Sequence, residues 1–198
     1  MSESISTESI STASISTASN SNASQSLAQP NVAHAEIQIK YLADTPEIIP
    51  LLADWHHNQW GHLPDARTLQ QRVVRLNDYL QRQAIPTMFV AWMNDQPIGS
   101  ASLVANDMKE LAEWIPWLSN VYVLPQHRRQ GVGAFMVERV AAEAVLLGYP
   151  RLYLYTLDQM HFYQQFGWQV SHLRFHRGHD MTVMTRDLIV NPPLKSEQ

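Results

Sequence analysis

The sequence contains no cysteine in its 198 residues. Disulfide bonds, thiolate nucleophiles and thiolate metal ligands are therefore excluded for this chain. Charged residues are also scarce, at 16%, and the formal net charge is −4. Proteins that bind nucleic acids broadly need a basic surface, so this charge balance argues against a nucleic-acid partner.

Long apolar runs are absent as well, because no stretch approaches the roughly 18 residues that a membrane span requires. The first residues lack the basic and apolar regions of a signal peptide. We therefore expect a cytoplasmic protein without a membrane partner. Hydrophobic residues nevertheless make up 45% of the chain, which is enough for a sizeable core in one ordinary domain.

Both ends of the chain differ in composition from the middle. The segment 5–19, ISTESISTASISTAS, repeats every five residues and is nearly all Ser, Thr, Ala and Ile. One isolated Ile per repeat buries too little apolar area to offset the entropy of ordering. We expect residues 1–33 to be a disordered tail, the alternative being a tail that orders on a partner. Residues 191–198 are interpreted as a second tail, which leaves a domain at 34–190.

Hydrophobic periodicity between the tails predicts alternating strands and helices. The predicted strands are 36–42, 87–93, 97–105, 117–125, 151–156, 168–176 and 180–190, and the predicted helices are 45–61, 67–83, 131–147 and 158–166. Thr45 is expected to cap the first helix, with Pro46 at its first position. The order βααβββαβαββ predicts an α/β (α+β) domain in which helices flank a mixed sheet.

The stretch QHRRQGVGAF connects a predicted strand to a predicted helix through a turn with two glycines. The first turn of a helix has unpaired amides and a positive dipole end, so it can hold a phosphate. Gly131 and Gly133 would let the amides approach an anion, because no Cβ intervenes. Arg128 and Arg129 would add positive charge. The lysine of a Walker loop and the third glycine of a dinucleotide fingerprint are both missing, and a tight turn without a ligand remains an alternative.

The pattern Arg128-x-x-Gly131-x-Gly133 matches the signature Arg/Gln-x-x-Gly-x-Gly/Ala. That signature is motif A of the GNAT (Gcn5-related) N-acetyltransferase superfamily, and the element order over about residues 35–190 resembles its fold too. The resemblance implies a mostly antiparallel central sheet, a turn that holds the pyrophosphate of coenzyme A, and a preceding strand that binds the pantetheine arm. The residues that it assigns to acetyl-CoA are Val121, Tyr122, Val123, Arg128, Arg129, Gln130, Gly131, Val132, Gly133 and Ala134.

LDQMHFYQQFGW, at 157–168, resembles motif B of the same superfamily and, locally, the branch that contains the actin N-terminal acetyltransferase. The resemblance implies that Tyr163 is the general acid that protonates the coenzyme A thiolate. A phenol with a pKa of about 10 suits a thiol with a pKa of about 8.5, although Tyr163 could also be a packing residue. Asp158 stands where many relatives have Asn, so we assign it to cofactor binding or to capping of the short helix.

The histidines of the sequence do not show the spacing that is typical of a metal site. His161 is interpreted as structural, and His56 and His57 are adjacent, so on a helix they point to different faces. We therefore predict no metal cofactor.

An amine attacks only as the free base, so a general base, or a water chain to one, is expected. Ser119 and Asn120 on the central strand are not basic. The loop before that strand supplies Asp107, Glu110 and Glu113, each of which could alone be a surface charge. Together they predict an acidic rim that attracts a cation, with Glu113 chosen as candidate base or rim residue.

Four tryptophans, Trp55, Trp60, Trp114 and Trp117, lie in segments that border the acceptor groove in this fold. They could hold a cationic amine by cation–π contacts or pack in the core.

The sequence thus predicts an acetyl-CoA-dependent N-acetyltransferase that uses direct attack by a primary amine in a ternary complex. An acyl-enzyme is not expected, because there is no cysteine. Small amines, such as diamines, and peptide N-termini both remain as acceptors, and a homodimer stays open. The alternatives are a non-catalytic CoA-binding or sensing module and, disfavoured by the charge, a nucleic-acid-binding protein.

Overall fold

The computed structural model describes residues 36–64, 66–176 and 178–189, and the two predicted tails lie outside these ranges. The described elements are β1 Gln38–Tyr41, α1 Ile49–Trp60, α2 Leu69–Asn77, β2 Thr87–Met93, β3 Gln96–Val104, β4 Trp117–Val123, α3 Val132–Leu146, β5 Arg151–Thr156, α4 Met160–Gln164, β6 Gln169–His176 and β7 His179–Asp187. The predicted order βααβββαβαββ is therefore confirmed. No helix in these ranges is both long and apolar enough to cross a membrane.

The strands of the described chain form one sheet in the order β1-β2-β3-β4-β5-β7-β6. Every neighbouring pair is antiparallel except β4 and β5, which are parallel. This confirms a mixed, mostly antiparallel sheet. β4 and β5 pair only between Trp117 and Tyr153, so residues 118–123 of β4 have no described strand beside them on that side. The sheet is open at this point.

Apolar side chains cover both faces of the sheet. Along β2, Phe89 and Ala91 belong to the core on the face that α3 covers, whereas Met88 and Val90 belong to the core under α1 and α2. This alternation follows from the two-residue period of a strand. The sheet is therefore the middle layer of three.

Glu143 of α3 is fully buried and anchors the edge of this sandwich. Its carboxylate accepts hydrogen bonds from the Tyr41 hydroxyl at 3.0 Å, the Gln83 amide at 3.0 Å and Arg139 Nη1 at 3.0 Å. A buried carboxylate is costly unless it is paired. These donors satisfy it and tie β1 and the segment before β2 to α3.

Helices α1 and α2 are shorter than predicted. α1 begins at Ile49 because Pro46–Ile48 form a 3-10 turn, and Thr45 makes no side-chain capping bond. α2 ends at Asn77 rather than at residue 83. Tyr79 and Leu80, which follow the end of α2, pack against the same core from an irregular segment.

Candidate active site

The connection from β4 to α3 carries a run of unpaired backbone amides. After a 3-10 turn at Pro125–His127, Arg129 has φ 60° and Gly131 has φ 83°, both left-handed. The Phe135 amide donates to the Gly131 carbonyl at 3.1 Å, but the amides of residues 129–134 donate to no described residue. Unpaired amides at the positive end of a helix are donors for a phosphate or pyrophosphate group.

The two glycines of this turn have different roles. A Cβ on Gly131 would meet only Phe135, at 3.7 Å, so glycine is needed there for its positive φ. Gly133 lies inside α3, and a Cβ on it would lie 3.2 Å from Phe162 Cζ and 3.9 Å from Val123 Cγ2. The missing side chain of Gly133 also makes room for Phe162 of α4, a contact that the sequence did not predict, and its role in clearing the path of an anion stays a prediction.

The side chain of Arg128 turns back toward the sheet. Its Nε donates to the Val123 carbonyl at 2.9 Å and its Nη2 to Gln59 Oε1 at 3.4 Å. The guanidinium also lies 5.9 Å from the centre of the Tyr122 ring. Arg128 therefore ties the turn to β4 and α1, whereas Arg129 is exposed beside the unpaired amides.

β4 leads from the open part of the sheet into this turn. Asn120 has φ 53°, and the pairing with β3 shifts between Ser100 and Ser102. A β-bulge of this kind bends the strand and changes its direction. Residues 121–123, which the resemblance assigns to the pantetheine arm, are only partly buried. They lie where β4 has separated from β5.

Tyr163 lies in α4, with 8% of its surface exposed. Its ring packs edge-on against Phe162 at 5.1 Å and against Trp168 at 6.0 Å between ring centres. Burial raises the pKa of Tyr163, and the negative charge of Asp158 raises that pKa further. The phenol therefore stays protonated across the physiological pH range.

Asp158 does not cap α4, so that interpretation was wrong. Gln159 is the N-cap residue, and its amide donates to Thr156 Oγ1 at 3.0 Å. The Thr156 hydroxyl, at the end of β5, thus takes the place of a capping carboxylate. Asp158 is exposed. His161 is also exposed, with Nδ1 3.2 Å from Gln164 Oε1.

Two adjoining cavities lie on the other side of β4. The outer cavity, of about 740 Å³, is lined by residues that include Arg67, Arg75, Asp78, Asp107, Lys109 and Glu110. The inner cavity, of about 30 Å³, is lined by residues that include His56, Arg72, Tyr79 and Asn120. Arg67, Arg75 and Asp107 line both cavities. The inner cavity has room for about one water, and Asn120 of the β4 bulge is among its lining residues.

Hydrogen bonds join the cavities to β4. The Ser119 hydroxyl donates to Asp107 Oδ2 at 2.7 Å, and Asn120 Nδ2 donates to Ser102 Oγ at 2.8 Å. The Ser102 hydroxyl in turn donates to the Ser119 carbonyl at 3.0 Å. Asp107 is thus held against the strand that leads to the turn at residues 128–134, the donor turn.

His56 of α1 is a buried part of this site that the sequence interpretation considered only as a metal ligand. Its Nε2 lies 2.9 Å from Ser100 Oγ, and only 3% of the residue is exposed. Burial, and secondly the positive charge of Arg72, lower the pKa of His56 to about 3. The imidazole is therefore neutral at pH 7. No described trio of His, Asp or Glu residues converges as a metal site.

Tyr79 and the arginines were also missed. Arg75 Nε donates to the Tyr79 hydroxyl at 3.0 Å. Burial raises the pKa of Tyr79. The positive charges of Arg75 and Arg67 act to lower that pKa, and the negative charge of Asp107 acts to raise it. One signal was available, because Arg72 and Arg75 are three residues apart and a helix places such residues on neighbouring positions of its surface.

The predicted acidic rim describes only part of the outer cavity, because Asp107 and Glu110 line it together with positively charged side chains. Asp107 lies among arginines, and Glu110 Oε2 lies 3.4 Å from His176 Nδ1. Glu113 is exposed and lines neither cavity. The positive charges were not predicted because α2, far away in the sequence, brings Arg75 to the same place.

The four tryptophans divide into two pairs. Trp117 is fully buried and Trp55 is 8% exposed, so both are core residues. Trp60 is partly exposed, with its ring centre 5.2 Å from that of His56. Trp114 is partly exposed as well and lies 4.8 Å from the Tyr153 ring.

Comparison with known proteins gives matches among families and solved structures. The model of the acetyltransferase (GNAT) family matches residues 45–168. An acetyltransferase structure from Exiguobacterium sp. is 27% identical, with a TM-score of 0.55, and the match covers 77% of this chain and 93% of that one. No relative was found among curated protein sequences.

Two further solved structures share the fold at lower identity. The acetyltransferase yncA from Salmonella typhimurium, solved with its cofactor acetyl-CoA, is 18% identical with a TM-score of 0.60, over 81% of this chain and 99% of that one. Ard1 from Thermoplasma volcanium is 12% identical with a TM-score of 0.60, over 77% of this chain and 98% of that one. The family match spans α1, β4, the donor turn and α4, and the chain therefore belongs to the GNAT acetyltransferase family.

Proposed function

We propose that this protein transfers the acetyl group of acetyl-CoA to a primary amine by direct attack in a ternary complex. The observation that carries the proposal is the run of unpaired amides at residues 129–134, placed where β4 leaves β5. A non-catalytic sensing module would need the amides but not a buried phenol beside them. The proposed catalytic function therefore accounts for both the unpaired amides and the buried phenol of Tyr163.

The amides of the turn and the exposed side chain of Arg129 would hold the pyrophosphate of coenzyme A. The edge of β4 at Val121 to Val123 would hold the extended arm. When bound, acetyl-CoA supplies an activated thioester carbonyl as the electrophile. Asp158 lies between the end of β5 and the start of α4. It stays a predicted cofactor contact.

Tyr163 is proposed as the general acid. Its raised pKa keeps the proton on the phenol, but it also makes the phenol a weaker acid than in water. Transfer to a thiolate is then favourable only if the thiolate loses its own solvation, because desolvation raises the pKa of a thiol. A buried position next to Phe162 and Trp168 provides such surroundings.

Asp107 is proposed as the residue that binds the acceptor ammonium and takes up its proton. Its hydrogen bond to Ser119 fixes it next to β4, and it lines both cavities. Glu113, the residue selected from the sequence, lines neither cavity and remains the weaker candidate.

The test is release of thiol from acetyl-CoA with a panel of amino acids, diamines, aminoglycosides and peptides. Turnover is expected with at least one amine, and Asp107→Asn should reduce it strongly. Asp187→Asn, which alters an exposed carboxylate paired with Arg151, should not. Tight binding of acetyl-CoA without turnover of any amine would support the sensing module instead.

A further inference from the structure

Resting on the proposed acetyl transfer, we propose that Asn120 is a positioning residue for the reaction. Its side-chain hydrogen bond to Ser102 holds β4 in the bulged register that presents the strand edge at Val121 to Val123 to the pantetheine arm. Asn120 acts in this way through the backbone of β4.

At the bulge, β4 has one residue more than the stretch of β3 beside it. Ser100 pairs with Tyr122 and Ser102 pairs with Ser119, so two residues of β4 lie opposite one residue of β3. The extra length is taken up at Asn120, whose φ of 53° is left-handed. Asparagine tolerates this conformation better than most residues other than glycine. The residue therefore permits the bulge but does not by itself fix it.

The bulge decides to which face of the sheet the following side chains point. Leu118, before the bulge, and Val121, after it, both pack in the core on the α3 face, although side chains three residues apart lie on opposite faces of a regular strand. Tyr122 points to the other face, where its ring centre lies 5.5 Å from that of Trp55 in α1. If β4 lost the bulge, residues 121–123 would exchange faces, and the strand would enter the donor turn in the wrong orientation.

Hydrogen bonds from side chains fasten β4 to β3 at the bulge. Asn120 Nδ2 donates to Ser102 Oγ at 2.8 Å, and the Ser102 hydroxyl donates to the Ser119 carbonyl at 3.0 Å. The Ser100 hydroxyl donates to the Asn120 carbonyl at 3.4 Å. Ser102 is thus the anchor on β3, and the Asn120 amide is the side chain of β4 that reaches it.

The two serines of β3 are unusual residues for this place in the sheet. Both are fully buried, and the next residue in their row, Val104, belongs to the apolar core under α1 and α2. A buried hydroxyl lowers stability unless it is hydrogen-bonded, so an apolar side chain would serve packing at least as well. The serines instead bond to β4 and to His56, whose Nε2 lies 2.9 Å from Ser100 Oγ. Their hydroxyls are explained by the geometry of the bulge.

Asn120 also lies between the two proposed sites. It lines the inner cavity together with Asp107, and β4 continues from it into the donor turn. Displacement of the bulge would move residues 121–123 while the amides at 129–134 stay in place. Misalignment of reacting groups lowers the rate of the chemical step. We therefore expect Asn120 to control kcat and to have little influence on the affinity for acetyl-CoA.

The test compares Asn120→Gly with Asn94→Gly. Asn94 has φ 50° in the turn between β2 and β3, so both substitutions relieve a left-handed φ and their backbone effects cancel in the comparison. Thiol release from acetyl-CoA is measured with the most active amine of the acceptor panel, and CoA binding is measured by calorimetric titration. Asn120→Gly should lower kcat by about tenfold or more, with KM for acetyl-CoA and affinity for CoA within about twofold of the wild type. Asn94→Gly should keep the wild-type kcat.

A double-mutant cycle with Ser102→Ala shows whether Asn120 acts through Ser102. Ser102→Ala should lower kcat by a similar factor, and the double variant should be at most about twofold slower than the slower single variant. A merely structural bond would lower the unfolding temperature and leave the kcat of the folded protein unchanged. If loss of the buried Ser102 hydroxyl prevents folding, the comparison of the two glycine variants still decides the question.

The outcomes separate this inference from the proposed function. A loss of kcat in Asn120→Gly and Ser102→Ala that is absent from Asn94→Gly and is not additive supports the inference. A wild-type kcat in Asn120→Gly, an equal loss in Asn94→Gly, additive effects, or a loss that appears only in KM overturns it and leaves acetyl transfer standing. Absence of thiol release with every amine in the wild type overturns the proposed function and the inference with it.

Discussion

The two proposed sites beside β4, for the acetyl donor and for the acceptor, differ in what lines them. On the donor side, consecutive backbone amides at residues 129–134 point out of one turn. On the acceptor side, the cavities are lined by side chains from α1, α2, the loop before β4 and the end of β6. The proposed donor site is therefore a property of the backbone, and the proposed acceptor site is a property of side-chain charge.

This difference predicts how each side responds to substitution. A backbone site survives most side-chain changes and fails where a residue is needed for its conformation, as at Gly131. A side-chain site keeps its shape when a charge is removed and changes what it binds. The largest effect is expected at Tyr163, the residue proposed to serve the chemistry of both sides.

Tyr163→Phe should lower kcat by about a hundredfold or more, because general acid catalysis contributes roughly 10² to 10⁴. KM for acetyl-CoA should change little, since the ring and its packing are retained. The raised pKa of Tyr163 keeps the phenol protonated, so this residue should cause no loss of kcat up to pH 9. Steady-state kinetics of thiol release over pH measures both effects.

Tyr149→Phe is the matched control, because Tyr149 packs against the same core but is placed outside the site. An unchanged kcat in Tyr163→Phe would identify Tyr163 as a packing residue only. The donor side would then act through its backbone alone.

His56 should make the acceptor side sensitive to acid. Its pKa is about 3 in the folded protein, below the ordinary value of 6.5. The unfolded chain therefore binds a proton that the folded protein does not, and stability is present above pH 6.5 and falls as the pH drops toward 3. The expected loss is about 1.4 kcal/mol per pH unit, or about 2 kcal/mol between pH 7 and pH 5.

Urea unfolding of the wild type, His56→Gln and His161→Gln at pH 7 and pH 5 isolates this effect. His56→Gln should lose about 2 kcal/mol less than the wild type between the two pH values. His161→Gln, an exposed histidine, should behave like the wild type. An equal loss in all three proteins would show that His56 is not the buried neutral group.

The same contrast explains what could be predicted from the sequence. The donor turn was recognisable because its residues are contiguous and because a helix start and a left-handed glycine fix its backbone. The element order was predictable for a similar reason, since strands such as 87–93 and 151–156 show their periodicity locally, and both are observed with those bounds.

The acceptor side could not be assembled in this way. Asp107 and Arg75 are far apart in the sequence, and only the packing of α2 beside the loop before β4 brings them together. The acidic rim was predicted from one loop without its positive neighbours. The contact between Gly133 and Phe162 was not predicted for the same reason, because Phe162 belongs to another helix.

Gly131→Ala should weaken acetyl-CoA binding by about tenfold. A side chain at φ 83° costs roughly 1 to 2 kcal/mol, and relaxation of the turn misaligns the amides. Gly148→Ala is a close control, since Gly148 has φ 81° after the other end of α3, with no atom within 4 Å of an added Cβ. Both variants should lose similar stability in thermal unfolding, but only Gly131→Ala should lose affinity in calorimetric titration. Equal affinities in the two variants would contradict the backbone site.

Gly133→Ala should have the smallest effect, a few-fold loss of acetyl-CoA affinity with about 1 kcal/mol lower stability. The added methyl group would lie 3.2 Å from Phe162 Cζ, so the strain should depend on Phe162 and not on the ligand. Phe162→Leu should therefore restore part of the affinity in the Gly133→Ala background while it destabilises the wild type. A double-mutant cycle should give a coupling free energy above about 0.5 kcal/mol. Additive effects would instead place the methyl group in the path of the anion and make Gly133 part of the backbone site.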